Sequence, residues 1–205
     1  MKPEYWDRAK RALARRDPVL AAIMRRHPRV HLLARGEPFQ TLARAIVGQQ
    51  ISVKAAQSVW NRVLEVAPGM TPAEILASRR PRLRACGLSD RKTEYIADLA
   101  RQLAAGALHV HRWPQMDDEA VIAELVQVRG IGRWTAEMLL MFSLLRPNVL
   151  PVDDLGLRRA ASRHYFGGEP ADADELRALA ARWEPWRSVA TWYLWRSLDP
   201  VPVEY

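Results

Sequence analysis

The chain has 205 residues, 49% of them hydrophobic, which is enough for a sizeable core and argues against disorder. Its net charge of +8, mostly from arginine, favours a polyanionic partner, nucleic acid ahead of membrane, because no segment reads as a basic amphipathic anchor. The single cysteine, Cys86, excludes a disulfide framework and any metal site built on several thiolates; with no bilayer-length apolar run and no signal-peptide pattern at Met1-Lys2-Pro3-Glu4, a soluble cytoplasmic protein is expected.

Taken in chain order, the periodicity is helical almost throughout. It predicts helices over 3–16, 18–26, 38–66 with a break near 49–52, 72–86 in pieces, 90–105, 117–127, 133–146, 154–164, 172–183 and 185–198. Pro18, Pro38, Pro72, Pro147 and Pro185 stand where helices start or stop, and Asp117 or Asp118 suits an N-cap. The stretch "ALHVHRW" (107–113) is too short for a strand and reads as a connector. With no fixed-period repeat and no low-complexity segment, the fold class is all-α.

Between two amphipathic helices lies "VQVRGIGRWTAEML" (126–139). Gly130 and Gly132 cost backbone entropy, which a simple polar connector would not need to spend. They allow positive φ and let another molecule reach the main chain at the start of the second helix. There the N–H groups lack intrahelical partners and carry the positive end of the dipole. A phosphate fits that arrangement, and in a basic chain it would belong to nucleic acid, held regardless of base sequence. The plainer alternative is a tight helix–helix turn with a glycine cap. Further on, "LPVDDLGLRRA" (150–160) sets two carboxylates before a helix. Asp153 or Asp154 suits the N-cap, and an anion at that place can also stabilise a nearby cation.

The longer pattern of Leu125, Val128, Gly130-Ile131-Gly132 and Thr135-Ala136 resembles the helix–hairpin–helix of the HhH-GPD DNA glycosylase superfamily, with Ile131 as the apolar tip between amide donors. The run Ala45-Ile46-Val47-Gly48-Gln49-Gln50-Ile51-Ser52 and the pair Asp153-Asp154 are similar to the same family in order and spacing. The resemblance covers roughly 38–198. It implies one glycosylase unit over 1–205 with two helical lobes, 36–146 (hairpin at 128–133) and 1–35 plus 147–205, and an active-site cleft between them. It also implies that the extra N-terminal domain of some bacterial relatives is missing.

The resemblance assigns catalysis to Asp154, because Asp154-Leu155-Gly156-Leu157 matches the family's pattern better than a frame on Asp153. Backbone binding would fall to Gly130, Ile131, Gly132 and Arg133. Lys54, Arg91, Lys92 and Arg129 are either phosphate neighbours or solvated charges. Members that also cut the backbone carry a lysine where this chain has Trp134, so the enzyme would use water and leave an abasic site. "GIGRWTAEM" resembles the alkylation-repair, DNA-3-methyladenine glycosylase II type, whose aromatic pocket suits a cationic purine, worth roughly 0.5–2 kcal/mol on an indole.

The chain has eight tryptophans. By the family pattern Trp134 and Trp195 would wall the base pocket, with Met138 beside them, while Trp183 and Trp186 are structural. A base inside a duplex must be flipped out and its gap filled, by Gln50 or else Gln49. The expected function is base excision repair: release of 3-methyladenine and 7-methylguanine from damaged double-stranded DNA. No metal or cofactor is expected, with a monovalent ion at the hairpin left open, and a monomer. The alternatives are a glycosylase for hypoxanthine or uracil, or a non-catalytic DNA-binding module.

Overall fold

The computed structural model describes residues 2–34 and 37–198, and among them there are helices and turns but no strand. Twelve α-helices follow in order: α1 (Trp6–Arg16), α2 (Pro18–Arg26), α3 (Pro38–Gly48), α4 (Val53–Val66), α5 (Pro72–Ala77), α6 (Arg80–Ala85), α7 (Asp90–Ala104), α8 (Asp118–Leu125), α9 (Arg133–Phe142), α10 (Leu155–Tyr165), α11 (Ala173–Ala180) and α12 (Arg187–Leu198). Short 3-10 turns at Trp113–Gln115 and Ala181–Trp183 complete the description. None of these helices is long and apolar enough to cross a membrane.

The helix starts follow from side-chain chemistry. Pro18, Pro38 and Pro72 occupy first helical positions, where a missing N–H costs nothing. Ser52, Ser89 and Asp117 accept from the amides of Ala55, Lys92 and Ala120, satisfying donors that have no partner inside the helix. Thr71 and Glu74 form a reciprocal capping box at α5.

Among the described residues the chain divides into two compact units, one made of 2–34 with 140–198, the other of 37–139. This division falls inside α9. One reason is that Phe142, at the end of α9, stacks on Trp195 of α12, with ring centroids 6.0 Å apart and planes 13° from parallel.

In the first unit, α12 is buried from Ser188 to Arg196 and packs against α1, α2 and α10. Trp6 meets the Trp192 ring edge-on at 5.4 Å. Asp17, only 1% exposed, organises this side: Oδ1 accepts from the amides of Val19 and Leu20, and Oδ2 accepts from the Tyr165 hydroxyl and the Trp183 indole. Trp183 is therefore structural, as expected. So is Trp186, stacked on Tyr5 at 5.8 Å and covered by the Arg8 guanidinium.

In the second unit, α7 packs against α3, α5 and α6, and α3 also packs on α4. The connector at 107–113 ends in buried Trp113, whose indole N–H donates to Glu124.

Candidate functional site

The hairpin between α8 and α9 is anchored from below by apolar side chains. Leu125, Val128 and Ile131 are all buried, and Ile131 N–H donates to Val128 O at 3.0 Å. At 4% exposure the Ile131 side chain is a plug under the turn, and its amide is used within it. The two glycines have different reasons to be there. Gly130 has φ +85°, and a Cβ at that position would stand 2.2 Å from the Tyr95 ring. No other residue fits both the backbone and the ring beneath it. Gly132 is exposed, and a methyl there would meet nothing within 4 Å. Its carbonyl accepts from Ala136 N–H, so the first amides of α9 follow directly from a bare, open backbone.

Arg133 does not stand free beside those amides. Its guanidinium is clamped by Glu119, with Nη1 to Oε2 at 2.9 Å and a second contact from Nη2 to Oε1, and Nε donates to buried Glu137 at 3.1 Å. The Glu119 hydrogen bond, ahead of the charges of Glu119 and Glu137, pushes the guanidinium pKa up. Two carboxylates thus hold the cation. Arg129 is likewise paired, with Glu94, while Arg91 and Lys54 are exposed.

The turn after α3 lies on the same groove as the hairpin, a space of about 470 Å³ lined among others by Gln49, Gln50, Lys92, Tyr95, Gly130 and Gly132. Gln49, the second choice for the duplex plug, is spoken for: its Nε2 donates to Gly130 O at 3.1 Å and Thr135 Oγ1 at 3.3 Å. Gln50 is exposed with φ +57°, and Ile51 beside it is 41% exposed. Lys92 is no solvated charge, since its ammonium donates to Val47 O and Gln49 O at 2.9 and 2.7 Å. Desolvation holds it below its ordinary value.

The carboxylate region lies in the other unit. Asp154 is the N-cap of α10 and only 5% exposed; its Oδ1 accepts from Leu157 N–H at 2.6 Å and from the Trp195 indole N–H at 2.7 Å. A Cβ on Gly156 would crowd Asp154 Oδ1 and Trp195 Cδ1, each at 3.1 Å, so the glycine of the D-L-G-L stretch lets indole and carboxylate close up. Asp153 is exposed. Trp195 is 4% exposed, stacked on Phe142, and its indole N–H holds Asp154 in place. Met138 is 1% exposed. Trp134, at the start of α9, is half-buried and keeps accessible surface.

A model of the HhH-GPD superfamily base excision DNA repair protein matches residues 43–186. The chain belongs to this superfamily. The DNA-3-methyladenine glycosylase 1 of Schizosaccharomyces pombe is 35% identical over 167 residues, 78% of this chain and 72% of that one. A Bacillus subtilis protein provisionally named a DNA-3-methyladenine glycosylase is 34% identical over 188 residues, 88% of this chain; the chain spans 66% of its length. Among solved structures, the S. pombe 3-methyladenine DNA glycosylase in complex with abasic DNA superposes with a TM-score of 0.85 at 29% identity, covering 97% of this chain and 99% of that one.

For an HhH-GPD chain, sequence reasoning missed Tyr95, Phe142, Gly156 and the bracing role of Lys92. Gly156 had a signal, because a glycine one position inside a helix asks for a close neighbour. Tyr95 and Phe142 had none, since their partners are remote in sequence. Among the described residues no group of three or more histidine, cysteine or acidic side chains is placed to hold a metal ion. Two hairpin carbonyls, Val128 O and Gly130 O, already accept from Ile131 N–H and Gln49 Nε2, so a monovalent ion there would share occupied oxygens.

Proposed function

We propose that the chain is a monofunctional DNA glycosylase of base excision repair. It flips an alkylated purine such as 3-methyladenine or 7-methylguanine out of duplex DNA and hydrolyses its N-glycosidic bond. The observation that carries this reading is Asp154, a buried carboxylate with one oxygen held by a helix amide and an indole N–H. Preorganised anions of this kind stabilise charge that develops in a transition state without reorganising.

Alkylation at N3 or N7 gives the purine a positive charge. When the C1′–N9 bond breaks, its electron pair neutralises the departing base, so no general acid is required. The cation passes to the sugar, whose oxocarbenium character Asp154 opposes. Water then adds at C1′ and gives its proton to the Asp154 carboxylate, leaving an abasic site. Trp134 offers an indole face to the cationic base, and as tryptophan it supplies no amine for a Schiff base, so the strand stays intact. Gly132 and the first amides of α9 take a backbone phosphate, and Gln50 fills the gap left by the flipped base. The relatives' names support the alkylated substrate, and the basic net charge supports DNA as the partner. The chain acts as a monomer and without a cofactor.

The test is base release from methylated duplex DNA by the wild type and Asp154→Asn, with strand nicking assayed without alkali. The asparagine keeps an oxygen for Leu157 N–H and the Trp195 indole, so the fold stays while the charge goes. Release of methylated purines should fall by a factor of about 10²–10³, with no nicking by either protein. A wild type that releases uracil or hypoxanthine but no methylated purine would overturn the substrate, and nicking would overturn the water mechanism.

A further inference from the structure

α3 ends at Gly48, and the turn beyond it carries Gln49, Gln50 and Ile51. Gln50 at φ +57° sits in the left-handed region, which a non-glycine residue seldom adopts and keeps only with support from its surroundings. That support arrives from two sides. Lys92 lays its ammonium across Val47 O and Gln49 O, at the carbonyl end of α3, and keeps this place against a desolvation cost. Gln49 reaches the other way, from its own side-chain nitrogen to Gly130 O and Thr135 Oγ1 in the hairpin and α9. Tyr95, one turn after Lys92 on α7, is the ring that lies under Gly130. One face of α7 therefore supports the exposed turn and the hairpin together.

We propose that Gln49 and Lys92 are positioning residues, a strut that holds the Gln50–Ile51 apex at a fixed offset from the hairpin amides. Gripping the phosphate backbone then sets where the apex enters the duplex. The proposal rests on reading the hairpin as the backbone grip and the turn as the duplex plug. Lys92 and Gln49 themselves touch neither base nor sugar. They act through the register of the apex, so their removal should matter only where a paired base has to be displaced.

The experiment compares single-turnover release of 7-methylguanine from a fully paired duplex and from an unpaired bulge. The proteins are wild type, Gln49→Leu, Lys92→Met and Lys92→Arg. Leucine resembles glutamine in size and leaves the net charge unchanged. Gln49→Leu should lose about tenfold on the paired site and no more than twofold in the bulge. Lys92→Met should show the same asymmetry, and Lys92→Arg, which can still donate to both carbonyls, should recover most of the paired rate. Equal losses on both substrates, or no loss on either, would overturn the strut. If Gln49→Leu proves unfolded, the methionine and arginine variants decide the matter. A wild type that releases nothing from either substrate would sink the enzymatic reading instead. The strut is then judged by 2-aminopurine beside the lesion, whose fluorescence reports duplex opening without chemistry: a smaller rise in Gln49→Leu supports it, and an equal rise overturns it.

Discussion

Replacing each hairpin glycine by alanine separates two jobs that one short motif performs. In Gly130→Ala the new Cβ must tolerate φ +85°, a left-handed backbone costing about 1–2 kcal/mol. It must also fit where the Tyr95 ring carbons stand at 2.2 Å, and overpacking of that kind costs about 1–3 kcal/mol more as ring and turn move apart. The sum, about 2–5 kcal/mol, corresponds to a fall in melting temperature on the order of 10 °C for a domain of this size. Gly132→Ala faces neither cost, because nothing lies within 4 Å of the added methyl. It should melt within about 2 °C of wild type, yet bind duplex DNA roughly tenfold more weakly, since the methyl covers backbone that a phosphate must approach. Thermal melts and fluorescence anisotropy on the two proteins read both quantities. Tyr95→Ala combined with Gly130→Ala should recover the overpacking part, a coupling of about 1–3 kcal/mol. If Gly130→Ala melted like wild type, or Gly132→Ala fell as far as Gly130→Ala, the division of labour would be refuted.

Three further outcomes follow from the same geometry. Asp17→Ala leaves the Tyr165 hydroxyl and the Trp183 indole N–H without their buried acceptor and removes the α2 cap, so chemical denaturation should show a loss of at least about 3 kcal/mol. Glu119→Gln releases Arg133 from its stronger clamp; the slope of log affinity for DNA against log salt should steepen by up to about 0.9, and an unchanged slope would mean the guanidinium never reaches phosphate. Burial, and after it the charges of Arg163 and Arg26, hold the His164 imidazole below its ordinary 6.5. The unfolded chain then takes up the proton first, so stability should decline as pH falls below about 6.5 and level off once folded His164 is protonated too. Melting curves between pH 7.5 and 5 should fall less steeply in His164→Gln than in wild type, and identical slopes would remove His164 from the account.

Helix positions were legible because their causes are local. Apolar spacing, prolines at first turns and serine, threonine or aspartate caps act within a few residues, so the break at 49–52 and the start of α9 after Gly132 could be read from the chain alone. The motif of Gly130, Gly132 and Asp154 was legible for the same reason: special backbone and a capping carboxylate leave a mark at their own positions. What each side chain does depended on partners far along the chain. That Trp195 holds Asp154 follows from α12 packing onto α10, which closes the indole on the carboxylate over Gly156. Met138 and Ile131 carry the same apolar character as an exposed tip or wall, and only packing buried them. Arg133 reads as a phosphate ligand until the fold brings Glu119 to it. Local chemistry determined where backbone and charge are special, and tertiary contact decided which of those groups are already spent inside the protein and which remain for DNA.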